Sequence, residues 1–408
     1  MAEGTGSRGR AATRGVRPAV SVQVLFLLFG VVVGAFFPFV ALFLHDRGLS
    51  AGEIGIAIAT MAAARIVWNP VWGHVADTRI GRLRTFQLGT IGSGLVAATM
   101  FWSSGLAAVA ALSFAFAAFQ TTTGPNMDAI ALSYLGPERM TDYGRIRGWE
   151  SLSYAAACFT IGAILQAVGA RWEMPIFAIA SLAVLAWSTT MVRDRPTGAE
   201  RHGRLGTVGA VFRRAPRFWG YLAVLLLVWT GFNGAWNFIA LKIEQGGGGP
   251  LLVGIGTALG GLVEVPMMRL SSRLGRTWGL RRTYVLGCLI YATGFLLWGL
   301  VRDPTIVSLL TVFEGAGFAL LFTTGVVVVG RLVPRELAST GQSMAVTVSF
   351  GIAPILGAGI GGFVFDRLGA VALYSGASTL TLSGGIVAWL ALSTPELSEP
   401  TPEIEAVI

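Results

Sequence analysis

Twelve long apolar stretches run through this chain, and the positive charges between them fall almost entirely on alternate gaps. The stretches lie at about 20–44, 54–76, 86–103, 106–135, 147–169, 174–192, 218–241, 251–270, 284–301, 305–330, 341–365 and 370–392. A bilayer-crossing helix needs ~20 mostly apolar residues, and each stretch comes near that. Backbone polar groups in lipid must be satisfied within the segment, so a chain of this pattern folds as a bundle of spanning helices. The expected class is an all-α membrane protein with twelve transmembrane helices in two six-helix bundles.

Only 12% of the 408 residues are charged, too few to cover the surfaces of soluble domains of that total length. The net charge of +9 raises the question of nucleic acid, and the distribution answers it. Of the 30 Lys and Arg residues, the N-terminal segment and the even-numbered gaps hold 24 and the odd gaps hold 5 (Arg47, Arg171, Lys242, Arg302 and Arg367). The positive-inside rule then places both termini in the cytoplasm, in a cell inner (plasma) membrane. The basic balance is a topology signal, and no nucleic-acid partner is expected.

The longest cytoplasmic gap divides the chain near its middle. The expected organisation is a basic N-terminus at 1–19, a six-helix bundle at 20–192, a linker at 193–217, a second bundle at 218–392 and an acidic tail at 393–408, solvated from Thr394 onward. A weak echo joins the halves. Pro70 precedes Gly81-Arg82 after stretch 2, and Pro266 precedes Gly275-Arg276 after stretch 8. Internal symmetry of this kind is expected of secondary transporters, whose sites lie near the midplane between repeats. The basic run before stretch 1 mimics a secretory signal, but the apolar run is too long for one. Cys158 and Cys288 read as buried thiols, and His45, His74 and His202 have no metal-ligand spacing. Gly246 to Gly249 lacks the Lys-Ser or Lys-Thr of a phosphate loop and reads as an external turn. No cofactor and no enzymatic activity are expected.

Function is then sought where charge is expensive. Arg65 (stretch 2), Asp128 (4), Arg147 and Glu150 (5), Glu264 (8) and Glu314 (10) each cost ~2.5–3.5 kcal/mol at a helix centre. Such side chains belong on the bundle interior, where they bind solute, carry protons or pair. Arg65, Glu264 and Glu314 are deep, whereas Arg147 and Glu150 lie only a turn or two from the cytoplasmic end. On stretch 7, Asn233, Trp236 and Asn237 share one face. They suit either a solute bearing hydroxyls or a carboxylate, or interhelical hydrogen bonds. Stretch 4 offers Asn126 and Asp128 beside a Gly124-Pro125 break.

The end of stretch 2 reads Trp72-Gly73-His-Val-Ala-Asp77-Thr-Arg-Ile-Gly81-Arg82-Leu-Arg84. It resembles the loop between helices 2 and 3 of the major facilitator superfamily, with one residue more between Asp77 and Gly81. Gly124-Pro-Asn126-Met-Asp128 and Asp142-Tyr-Gly-Arg145-Ile-Arg147-Gly-Trp149, with Arg65 and Leu262-Val-Glu264-Val, resemble the phenylpropionate permease group, kin of the lactose permeases. The resemblance implies the major facilitator fold, two pseudo-symmetric bundles, substrate contact by Asp128 and Arg147, and gating by Gly73, Asp77, Gly81, Arg82 and Arg84. Asp77 can meet a helix N-terminus or an arginine of the other half. Glu314 stands where that group usually has a histidine, and stretch 9 lacks the arginine of the lactose permeases, so proton coupling falls to Glu264 or Glu314.

The expected function is secondary active transport of a small organic solute (sugar, nucleoside or aromatic acid) by alternating access with proton symport. Its partners are that solute, protons and the lipid bilayer, and the chain acts as a monomer. The substrate-binding set is Arg65, Asn126, Asp128, Arg147, Asn233, Trp236 and Asn237. An exporter of the same fold and a non-transporting membrane sensor are the alternatives.

Overall fold

The computed structural model describes residues 18–135, 143–191 and 205–399. Most of the basic N-terminus, much of the linker, the end of the acidic tail and Asp142 lie outside them.

Among the described residues the chain is helical throughout. Nine helices are long and apolar enough to cross a membrane, or ten with the bent pair Val20–Phe36 and Val40–Asp46. That pair is span 1. The others are Ala51–Ile80 (span 2), Leu106–Leu135 (4), Tyr143–Val168 (5), Ala170–Ser188 (6), Pro216–Gln245 (7), Pro250–Trp278 (8), Leu280–Leu300 (9) and Pro304–Leu332 (10). Arg335–Ala391 is continuous by hydrogen bonding, but Gly369 at φ +81° breaks it into spans 11 and 12. Arg82–Met100, with two arginines in its first turn, is the more polar span 3. Each expected stretch therefore has its helix, extended by a few residues at most ends.

Proline shapes several of these helices. Pro70 and Pro266 lie inside spans 2 and 8, where a missing N–H and a ring clash loosen the helix. Span 2 ends in a π-helical turn, Ala76–Ile80, that carries Asp77. Span 4 breaks at Thr121 and Thr122, just before Gly124-Pro125, because Pro125 cannot donate to the carbonyl one turn back.

In the first half, span 1 packs on spans 5 and 6, span 3 on 4 and 6, and span 2 on 4. In the second, span 7 packs on 11 and 12, span 9 on 10 and 12, and span 8 on 10. The halves meet where span 2 crosses span 11 and span 5 crosses span 8. These crossings are tight because they are built on glycine. A Cβ on Gly55 would collide with the Ala358 carbonyl, and one on Gly362 with that of Ala51.

The glycine contacts at Gly55 and Gly362 lie toward one end of the bundle, where other groups also tie the halves together. The Asp366 carboxylate of span 11 accepts the backbone N–H of Ala51 at 2.9 Å and of Gly52 at 2.6 Å, capping span 2 from across the interface. Ser50 and Glu53 complete that helix start with a capping box. His45 Nδ1 lies 2.9 Å from Glu244 Oε2, joining the ends of spans 1 and 7. At the opposite end the ion pairs Asp77–Arg82 and Asp128–Arg147 stay within the first half, and Arg214–Glu336 ties the linker helix to the second.

One segment adds to the sequence reading and one differs from it. The linker contains a strongly amphipathic helix, Leu205–Arg214, with Phe212 stacked on Trp219 of span 7. The tail is not solvated from Thr394 onward. Pro395–Ser398 is a helical turn whose Leu397 is buried, because a leucine among acidic residues still gains by leaving water.

The Gly260–Gly315 crossing of spans 8 and 10 is the packing feature on which the site depends. A Cβ on Gly315 would collide with the Gly260 carbonyl, and backbone cannot yield as a flexible side chain can. Gly315→Ala is expected to cost about 1–3 kcal/mol as overpacking and to lower the unfolding temperature in detergent. Gly330→Ala on the same span, with nothing within 4 Å, is the control expected to leave it unchanged.

Candidate functional site

Between the halves lies a cavity of about 330 Å³. Spans 1, 2 and 5 contribute Phe37, Arg65 and Tyr154 to its wall. Spans 7, 8, 10 and 11 contribute Phe232, Asn233, Trp236, Asn237, Glu264, Glu314, Phe318 and Phe350. A larger groove of about 560 Å³ lies between the 205–214 helix and spans 7 and 11, but no charged residue lines it. The smaller cavity is the one built like a solute site, with apolar walls and a few convergent polar groups.

Arg65 reaches the cavity from the middle of span 2. Its guanidinium lies 5.7 Å from the Phe37 ring centroid, within cation–π range. Among the described residues no carboxylate lies within 4.0 Å of it. The two acids occupy the other half. Glu314 is buried beside Gly260, its Oε2 3.2 Å from where a Gly260 Cβ would stand. Glu264, one turn beyond Gly260 on the same face of span 8, is its neighbour. The glycine crossing thus holds two carboxylates together opposite a single arginine.

Span 7 supplies the acceptors. Asn233 Nδ2 donates to Trp229 O and Asn237 Nδ2 to Asn233 O, both at 2.8 Å. The amide nitrogens are used within the helix, and each side-chain oxygen is without a protein donor among the described residues. Trp236 stacks on Phe232 at 6.1 Å and 12°, extending a flat apolar wall between the amides.

The remaining candidates fall elsewhere. Asn126 is buried, and its Nδ2 donates to Thr122 O at 2.7 Å, bridging the break in span 4. Asp128 and Arg147 do come together, with Arg147 Nη1 donating to Asp128 Oδ2 at 3.2 Å. They do so outside the lining of the charged cavity, away from the end where Asp366 and His45 tie the halves together. Tyr143, absent from the sequence-derived set, completes the cluster: its hydroxyl donates to Asp128 Oδ1 at 2.8 Å and accepts from Arg147 at 3.1 Å. Glu150 Oε2 lies 3.9 Å from Arg147 Nε. In the loop after span 2, Asp77 pairs with Arg82 of its own half at 3.5 Å, Gly81 takes φ +81°, and Arg84 is exposed. No side chain crowds Gly73. A helix start is capped across the halves at the other end, by Asp366. The sequence held a signal for it: Gly362, Asp366 and Gly369 repeat the order Gly73, Asp77 and Gly81, and Gly369 and Gly81 share the same positive φ.

Comparison with known proteins places this architecture. The sequence pattern of the MFS_1-like family matches residues 20–375. The chain belongs to that family. Maltose permease of Geobacillus stearothermophilus is 26% identical over 388 residues, covering 93% of this chain and 94% of the permease. A probable 3-phenylpropionic acid transporter of Escherichia coli (strain K12) is 24% identical over 285 residues, 69% of this chain and 73% of the transporter. The crystal structure of the nucleoside transporter NupG superposes with a TM-score of 0.81 at 14% identity, covering 93% of this chain and all of NupG. The last likeness is one of fold. This MFS_1-like protein is therefore a multi-pass membrane transporter for small solutes, and not an enzyme.

Proposed function

We propose that the protein is a proton-coupled symporter that imports a small organic solute by alternating access between its two halves. The observation that carries this reading is the charged cavity between the halves, furnished with Arg65, two carboxylates and a polar face on span 7, with the halves tied together toward one end of it. A solute site between repeats is where a carrier of this architecture works. Arg65, Asn233, Trp236 and Asn237 contact the solute, and Glu264 and Glu314 carry the proton. Asn126, Asp128 and Arg147 serve the path between the cavity and the open mouth. Asp77, with Gly73, Gly81, Arg82 and Arg84, controls closure at that mouth.

The arginine pattern supports cytoplasmic termini, so the shut end is external and this state faces the cytoplasm. The proposed residence is the plasma membrane, and the working unit is a monomer made of bundles 20–192 and 218–392 joined by 193–217. The relatives support a panel of a sugar, an aromatic acid and a nucleoside as solutes. The test is uptake of labelled maltose, 3-phenylpropionate and uridine into proteoliposomes under an imposed pH gradient. Accumulation of one solute, driven by inward proton flow and abolished by a protonophore, is expected. Solute driven out by inward proton flow would mark the protein as an exporter instead.

A further inference from the structure

The charges of the cavity limit what it can carry. Arg65 stays cationic under all physiological conditions. Glu314 sits against Gly260, and Glu264, one helical turn further along span 8, lines the same cavity. Two carboxylates so placed in a water-poor site share a proton in preference to both being ionised. The other titratable groups near them are Tyr154 of span 5 and Tyr291 of span 9, phenols that are uncharged near neutrality.

With one shared proton the empty cavity holds one positive and one negative charge and is neutral overall. A second proton with a neutral solute takes it to a net charge of +1. A second proton with a monoanion returns it to neutral. Uncompensated charge in an occluded site away from water is costly, so only the last loaded form can reorient as readily as the empty one.

We propose that the cavity carries a small organic monoanion seated on Arg65 together with one proton taken up by the Glu264–Glu314 pair, an electroneutral one-to-one symport. This rests on the proton-symport reading above and narrows its substrate class. The walls agree with it. Arg65 is free of protein carboxylates within 4.0 Å, so its planar fork is open to bind a carboxylate through two parallel hydrogen bonds. Phe37 covers the guanidinium, and Trp236, Phe318 and Phe350 offer apolar surface to the body of the anion. A neutral solute would instead leave Arg65 without a counter-charge.

The first test is thermal stabilisation of the purified protein by phenylacetate and by its neutral isostere phenylacetamide. Phenylacetate is expected to act at concentrations about tenfold lower or better. Arg65→Gln is expected to erase that preference, and Arg65→Lys to restore part of it. Equal action of acid and amide, no action of the acid, or a preference that survives Arg65→Gln overturns the proposal. The second test is flux of labelled phenylacetate into proteoliposomes, with protein-free vesicles giving the background carried by the neutral acid. Uptake above background is expected to follow the proton gradient and to change by less than about twofold under a valinomycin-set potential of either sign. Acceleration beyond that by an interior-negative potential shows that net positive charge crosses, and overturns electroneutrality. If the sugar or nucleoside of the panel is accumulated with protons while phenylacetate is not, symport stands and the monoanion falls. If no solute is accumulated, the symport reading itself fails.

Discussion

Asp366→Ala is expected to shift the protein toward the state that opens at the end now shut. The Asp366 carboxylate accepts two backbone N–H groups at the start of span 2, and its own helix belongs to the other half. Opening that end breaks both bonds and leaves two orphan donors of a helix start to water. A hydrogen bond to a charged group is worth about 1.5–3 kcal/mol where water is excluded. Asp366 is exposed and water replaces it on opening, so the net loss is about 1–2 kcal/mol, roughly a 5–30-fold change in the equilibrium. Asp366→Asn, which keeps an acceptor oxygen but loses the charge, is expected to do less. The readout is labelling of an Ile58→Cys reporter, on the cavity wall, by a membrane-impermeant thiol reagent added from the external side. Cys158, which packs at the span 5–span 8 crossing, and the buried Cys288 are first replaced by alanine to remove background. Unchanged labelling would reduce Asp366 to a local cap.

The larger effect is expected at the acid pair. A proton carrier must alternate between charged and neutral forms as the site changes sides. Glu264→Gln and Glu314→Gln each freeze one member in a neutral, nearly isosteric form. Each is expected to lower pH-driven accumulation by about tenfold or more, while exchange of internal for external solute, which needs no net proton movement, continues. Assaying both modes on the same vesicles separates a coupling defect from a folding defect, because misfolding removes exchange as well. If the Glu264→Gln/Glu314→Gln double variant, which leaves neither acid to take the proton, still accumulates solute against its gradient, the proton travels elsewhere, and Asp128 is the next candidate.

The spans were legible in the sequence because an apolar run of helix length has no other stable outcome in lipid. The break in span 4 beside Pro125 followed from the missing N–H. The depth of Arg65, Glu264 and Glu314 could be counted along their stretches. What could not be counted was rotation and register between helices. The encounter of Asp366 with Ala51 and Gly52 joins positions more than 300 residues apart, and depends on the meeting of Gly55 with Ala358. Asp128 and Arg147 carry a motif, but a motif does not say how far toward the mouth their helix ends lie. Tyr143 stands inside that same motif, but a phenol carries no formal charge whose insertion cost would single it out. Leu397 was lost in the acidic composition of its neighbours.

Alternating access requires the shut end to open once in every cycle, and one cross-link tests that. His45 and Glu244 are exposed, 2.9 Å apart, and on opposite halves. In the His45→Cys/Glu244→Cys protein, a short bis-methanethiosulfonate cross-linker, which forms a disulfide with each cysteine and releases sulfinate, applied from that side is expected to stop proton-driven uptake almost completely, and reductive release to restore it. Each single-cysteine protein, treated identically, should keep its rate. Uptake at the full rate through the linked protein would show that this end never opens during transport, and would contradict the account.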